Sequence, residues 1–361
     1  MPPKQQRDMS FINDVSGTEA YTGARVGGIS NIIDQVATHL DKCEHHVLLR
    51  QHVDYVKGSP FNFEGRIAHD ERENITVHHF PLQGDRSQLE EVDYTLAGLL
   101  SHEYENFKFD TIVTHVVEPG QSLKGVDKKA HWVNCTHGSK KNADLSPMYL
   151  DLIDHMHIMS EWQITDRLDT DAPYWSFKGN LSDKIVLLGH GVDTNIFKPS
   201  NEVDNDCVWH GRISSEKQIL PFSKYFEEQC PDKTLYIIGG PDHPVHVSGW
   251  KQPENVGMCG RLFGDLLAHN IAAHKNYVLP SKYETFCAAL LEGISCCENV
   301  YSNYHESMDW AKDVVVFSNG HMEMCENINK RKTKDVDGYD FIEKNYSWKA
   351  LAPKYYEMYN A

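Results

Sequence analysis

Four short segments of this chain carry residue types suited to a phosphorylated, hydroxyl-rich ligand. The first is PSKYETFCAALLEGISC (280–296). A run of strand formers, NYVLP, ends at Pro280, a polar turn (SKYET) follows, and a helix of small residues comes next. The start of that helix, near Phe286, Cys287 and Ala288, exposes N–H groups without intrahelical partners, which suit an anionic diphosphate. Glu284 stands at the mouth of the turn with Thr285 beside it, and Glu292 lies eight residues on, about two helical turns away. Both could face one crevice. A carboxylate accepts hydrogen bonds from vicinal hydroxyls, as on a ribose or a hexose. The spacing alone fits equally an ordinary strand–turn–helix with two surface glutamates.

The second segment is WHGRISSEKQI (209–219), where a strand ends in a Gly turn and Arg212 and Lys217 flank the next helix start. A departing nucleoside diphosphate gains negative charge as its bond to carbon breaks. Two cations aimed there stabilise the transition state more than the ground state, and the Arg fork and the compact Lys charge both suit phosphate. Solvated charges at a helix start are the plain alternative. In the third segment, VGGISN (26–31), Gly27 and Gly28 permit close backbone approach at a helix start. In the fourth, NCTHGSK (134–140), His137 follows a strand, where it could orient a hydroxyl or serve the structure alone.

Other clusters rank below these. His155 and His157 alternate on a strand and share a face, but no further metal donors can be placed beside them. His243 and His246 fall in a Pro-rich loop, and Asp169 and Asp171 form a DxD string in a polar loop. NKRKTK (329–334) reads as a charged surface and is the best basic patch for an anionic acceptor. The sequence has no GxSxG elbow and no P-loop, so nucleophilic hydrolysis and ATP hydrolysis lack support.

The elements that must position these residues alternate along the chain. Strand runs are expected at 46–50, 75–80, 109–117, 131–136, 155–159, 184–188, 207–210, 234–238, 255–259, 276–280 and 314–317, with SFIND (10–14) a weak first strand. Helical patterns are expected at 27–40, 87–101, 145–153, 216–228, 263–273, 286–295 and 347–358. The clearest, GGISNIIDQVATHL, places Ile29, Ile32, Ile33, Val36 and Leu40 on one face. Short β-branched runs separated by helices imply parallel sheets. The segment GHGVDTNIFKPSNEVDND (189–206) has turn residues and no periodicity, and marks a boundary between two α/β units.

Composition bounds the rest. Lys plus Arg (35) against Asp plus Glu (52) leaves a formal charge of −17, which opposes non-specific binding of nucleic acid. Nine Cys without a CxxC pair suit reduced thiols and a cytoplasmic setting, the host cytoplasm for a viral chain. MPPKQQRDMSF lacks the apolar core of a signal peptide, and no apolar run approaches a transmembrane length, so a soluble protein is expected.

Taken in order, these segments resemble the retaining family-4 glycosyltransferases of GT-B fold, from about residue 26 to the C-terminus. VGGISNIIDQVATHL resembles the family's Gly-Gly loop and helix, and LGHGVDTNIFKP (188–199) its inter-domain signature. GRISSEK (211–217) is similar to its basic phosphate pair, LYIIGGP (235–241) to its strand-and-Gly segment, and Glu284 to Glu292 to its Glu-x7-Glu motif. YSWKALAPKYYEMY (346–359) is similar to its last helix. SCCENVYSN (295–303) departs from the family's small-residue turn and Pro after the second Glu, ahead of the next strand: Cys297, Glu298 and Asn299 stand there instead.

The resemblance implies an α/β GT-B chain with two Rossmann-like domains whose parallel sheets face a central cleft. It implies an acceptor-side domain over 1–192, a nucleotide-sugar-binding domain over 193–345, and a helix over 346–361 crossing back to the first. It implies that Arg212 and Lys217 hold the donor diphosphate, and that Glu292 binds the nucleotide ribose. Glu284 and the backbone of Thr285, Phe286, Cys287 and Ala288 contact donor sugar and phosphate. His137 lies near the transferred sugar, and Gly27 and Gly28 near phosphate and acceptor. The resemblance further implies a nucleotide-sugar co-substrate, no metal or other cofactor, and transfer with retention. The expected acceptor is a glycan, a lipid-linked sugar or a small molecule. Other readings are a phage-type enzyme acting on a hydroxymethylated DNA base, and a nucleotide-sugar-binding protein or epimerase without transfer.

Overall fold

The computed structural model describes residues 6–12, 28–41, 43–52, 67–69, 75–82, 110–115, 130–135, 153–163, 182–241 and 244–360. The chain divides into two compact units: unit 1 is Met1–Leu188 with Ala352–Ala361, and unit 2 is Gly189–Leu351.

Among the described residues, unit 1 is built on an eight-stranded sheet. Its strands are β1 (Gln6–Ile12), β2 (Cys43–His52), β3 (Ile67–His69), β4 (Ile75–Leu82), β5 (Thr111–His115), β6 (His131–Cys135), β7 (His155–Ile158) and β8 (Ile185–Leu187), in the order β3-β4-β2-β1-β5-β6-β7-β8. Every pair is parallel except β3 with β4. The strand in QRDMSFI begins four residues before SFIND. Pairing with β2 and β5 on both sides supplies the order that its polar composition does not. Helix α1 (Gly28–His39) follows the expected periodicity, with Ile32, Ile33, Val36 and Leu40 buried.

Unit 2 carries a six-stranded, wholly parallel sheet. Its strands are β9 (Asp204–Ile213), β10 (Leu235–Pro241), β11 (Val256–Gly260), β12 (His274–Leu279), β13 (Asn299–Asn303) and β14 (Val316–Ser318), in the order β11-β10-β9-β12-β13-β14. Between them run α2 (Ile219–Gln229), α3 (Gly264–Ala272) and α4 (Ala288–Cys296), followed by α5 (His321–Asn329) and α6 (Gly338–Tyr346). Trp209, Phe222, Phe226, Tyr277 and Tyr301 fill the core. β9 does not stop at a Gly turn as expected from GRI; it continues through Gly211 and Arg212 to Ile213. Gly211 there opposes Gly239 of β10, where a Cβ would fall 1.9 Å from the Gly211 carbonyl oxygen. No strand is expected from SCCENVYSN (295–303), yet it contains β13, paired with β12 and β14.

The last helix, α7 (Trp348–Asn360), starts in unit 2 and ends in unit 1. In unit 2, Trp348 packs on Gly191, and Val192 bridges to Ser347. In unit 1, Thr111 Oγ1 donates to the Tyr359 carbonyl at 2.6 Å, and the rings of Tyr355 and His157 meet edge-on.

Candidate functional site

The strand order of unit 2 creates the site. From β9 the chain moves through α2 to β10 and β11 on one side, and β12, β13 and β14 lie on the other. The order therefore reverses between β9 and β12, and loops leaving adjacent carboxyl ends at such a point diverge and leave a crevice. β9 brings His210 and Arg212 to it, and the loop after β9 brings Glu216 and Lys217. β12 delivers the turn 280–287, and α4 starts directly behind it.

The two loops are tied together. The Lys282 N–H donates to the Glu216 carbonyl at 2.8 Å. Lys217 Nζ donates to both oxygens of Glu284, at 2.7 and 2.9 Å. Glu284 is buried, and Lys217 keeps 21% of its side chain exposed. Burial alone would pull the Lys217 pKa down, but the facing Glu284 carboxylate outweighs it and holds the ammonium above the usual lysine value. Arg212 Nη2 donates to Glu216 Oε1 at 2.9 Å, and the guanidinium is well exposed. Partial burial opposes the charge on Glu216. Its hydrogen bonds with Ser214 and its own backbone, with the Arg212 and Lys217 charges, bring its pKa below the ordinary glutamate value.

The turn is fixed from within. Ser307 Oγ donates to the Glu284 carbonyl at 2.5 Å, and Asn303 Nδ2 donates to the Pro280 carbonyl at 2.8 Å. Phe286 is buried, stacks on Trp310 with ring centroids 4.9 Å apart, and meets His190 edge-on. Cys287 caps α4 at φ 71°, ψ 82°, a positive-φ conformation that side chains rarely adopt. Burial pushes the Cys287 thiol far above its ordinary pKa, so it stays a neutral thiol. The N–H groups of Ala288 and Ala289 behind it have no intrahelical acceptor, as at any helix start.

Glu292, one turn further along α4, is held separately. Its Oε2 lies 2.5 Å from His210 Nε2, and His210 Nδ1 lies 3.2 Å from the buried Tyr277 hydroxyl. The structure thus gathers Arg212, Lys217, Glu284, Phe286, Cys287, Ala288 and Glu292 on the elements around one sheet edge, together with Thr285 in the turn. Gly28 is the first residue of α1, and His137 and Gly27 lie outside the described residues. Asp169, Asp171 and His243 also lie outside them. His155 Nδ1 faces His131 Nε2, and His157 bonds to Cys135 and to the Leu188 carbonyl. Among the described residues no three His, Cys, Asp or Glu side chains group to hold a metal, and no helix is long and apolar enough to cross a membrane. His210, Tyr277 and Glu216 escape sequence reasoning. The i,i+4 spacing of Arg212 and Glu216 is the one local signal that points to any of them.

No protein-family model matches this sequence, and no curated protein does. Solved structures do match. Sucrose-phosphate synthase from Thermosynechococcus elongatus superposes with a TM-score of 0.75 at 15% identity, over 98% of each chain. Anabaena Alr3699/HepE in complex with UDP and glucose gives 0.67 at 14% identity, again over 98% of each chain. The catalytic domain of starch synthase IV from Arabidopsis thaliana, bound to ADP and acarbose, gives 0.66 at 12%, with 98% of each chain covered. The chain has the GT-B fold.

Proposed function

We propose that this chain is a glycosyltransferase that moves a hexose from a nucleotide-sugar to an acceptor hydroxyl. The observation that carries the reading is the meeting of Lys217 and Glu284 beside Arg212 where the strand order reverses, next to the start of α4. A cation pair, a carboxylate and a helix N-terminus at one crevice provide for a diphosphate and for sugar hydroxyls together. Two structural neighbours hold a nucleotide and a sugar in their own right, UDP with glucose and ADP with acarbose.

In the proposed reaction the bond from the anomeric carbon to the β-phosphate oxygen breaks, and its electron pair stays on that oxygen. Arg212 and Lys217 neutralise the charge that develops there, so the step needs no metal ion. Glu284 and the 285–288 backbone hold the donor sugar and phosphate, and Glu292 takes the ribose. The acceptor oxygen bonds to the anomeric carbon on the face the phosphate leaves, and the acceptor proton passes to the departing phosphate oxygen. The outcome is retention. The acceptor is a glycan, a lipid-linked sugar or a small molecule, since a charge of −17 opposes a DNA duplex.

Lys217→Ala and Glu284→Ala are each expected to lower turnover by about 10²–10³-fold, the scale for losing one preorganised electrostatic contact. Turnover is measured with UDP-, ADP- and GDP-sugars, with and without EDTA, while ligand-free melting confirms the fold. A nucleotide at 100 times its Kd stabilises the native state by about 2.7 kcal/mol. The absence of any thermal shift with all three nucleotides, or wild-type rates in both variants, overturns the reading.

A further inference from the structure

We propose that His210 is a positioning residue that locks the Glu292 carboxylate to read the ribose hydroxyls of the donor. This rests on the reading in which Glu292 takes the ribose. Three observations support it. First, His210 stands on a strand whose preceding residues, Cys207, Val208 and Trp209, are apolar and buried, and its own ring is also buried. A histidine at such a place must have both ring nitrogens satisfied, and both are, by Tyr277 on β12 and Glu292 on α4.

Second, the partners fix the tautomer. Burial holds the Tyr277 hydroxyl far above its ordinary pKa, so it stays protonated and can donate to Nδ1. The ring proton then sits on Nε2 and is donated to Glu292 Oε2. With Oε2 occupied, Oε1 has no hydrogen bond among the described residues and is left to accept from a ligand, on a side chain 13% exposed. Third, the relay is braced from behind. Gly293, next to Glu292, lies so close to the Tyr277 ring that a Cβ there would sit 2.4 Å from it. Tyr277 thus has a fixed seat, and it passes that position to His210 and then to Glu292.

A glutamate held in one rotamer distinguishes a nucleotide with ribose hydroxyls from one without them; a freely rotating glutamate does so weakly. The test is calorimetric affinity for UDP against 2′,3′-dideoxy-UDP, with ADP against 2′,3′-dideoxy-ADP run in parallel. The wild type is expected to prefer the ribonucleotide by at least about tenfold, the scale of one hydrogen bond to a charged group. His210→Phe keeps a ring but not the donor. It is expected to reduce that ratio to near one, chiefly by weakening the ribonucleotide. His210→Gln, whose amide can donate to Glu292, is expected to restore part of the ratio. Tyr277→Phe, which removes the hydroxyl that sets the tautomer, is expected to lower it.

Two failures can be told apart. If Glu292→Ala leaves the wild-type ratio unchanged, the ribose reading itself fails. If Glu292→Ala collapses the ratio while His210→Phe and Tyr277→Phe leave it intact, Glu292 keeps its role and the positioning proposal is overturned.

Discussion

Lys217 and Glu284 stand 67 positions apart in the chain and share two hydrogen bonds. The pair makes stability depend on pH in a definite sense. The folded Lys217 pKa lies above the ordinary value of 10.5, so its stabilising contribution is fully present below pH 10.5 and is lost as pH rises through the folded value. The difference in unfolding free energy between wild type and Lys217→Met is expected to be flat at neutral pH and to shrink only above pH 10.5. His157 acts in the opposite sense. Burial lowers its pKa from 6.5 to about 4. The unfolded chain therefore binds a proton that the folded chain refuses, and stability falls as pH drops from 6.5 toward 4. Those figures correspond to about 3 kcal/mol, and His157→Gln is expected to remove that slope from acid-titrated urea melts. The sequence made the charged residue types legible, because Arg212, Lys217, Glu284 and Glu292 lie in short motifs. It hid the partner of Glu292. His210 meets Glu292 across 82 positions, a contact made only by the parallel order of β9 and β12.

At the scale of elements, the turn between β12 and α4 is held by packing as much as by hydrogen bonds. Gly293→Ala drives a methyl into the buried Tyr277 ring, and is expected to cost about 1–3 kcal/mol in chemical denaturation. Phe286→Ala empties a seat walled by Trp310, His190 and Gly189. It is expected to cost about 3–5 kcal/mol and to weaken nucleotide binding as well, because the turn rides on that ring. Most strands and helices in the described residues were legible from short β-branched runs and apolar stripes. The exceptions have physical causes. NVYSN begins and ends with Asn and follows Glu298, so it lacks the β-branched run that marks the other strands; pairing on both sides makes it a strand. α6 buries only Ile342, which leaves no stripe to see. α5 buries Asn327 among Met324, Cys325 and Ile328, and its apolar period is broken by that amide, which donates to Ser318. β9 outlasts its glycine because Gly211 and Gly239 face each other and let the two backbones approach closely.

For the molecule as a whole, alternating strand and helix patterns made two α/β units legible in the sequence. Unit 2, Gly189–Leu351, is continuous in sequence, whereas unit 1 is completed by Ala352–Ala361. Deleting residues 352–361 removes Tyr355, Met358 and Tyr359 from unit 1, and with them the backbone acceptors of Thr111 and His131. Hydrogen exchange in β5, β6 and β7 is expected to accelerate in that truncated chain while β9, β10 and β12 stay protected. Equal exchange in both chains would show that the segment adds nothing to unit 1. The same divided membership has a consequence during synthesis. A ribosome working at about 5–20 residues per second makes all of unit 2 between the body of unit 1 and its closing segment. For on the order of ten seconds or more, the first unit made lacks Tyr355 and Tyr359. The second unit therefore becomes complete in sequence before the first does, and the order of translation is the reverse of the order of completion.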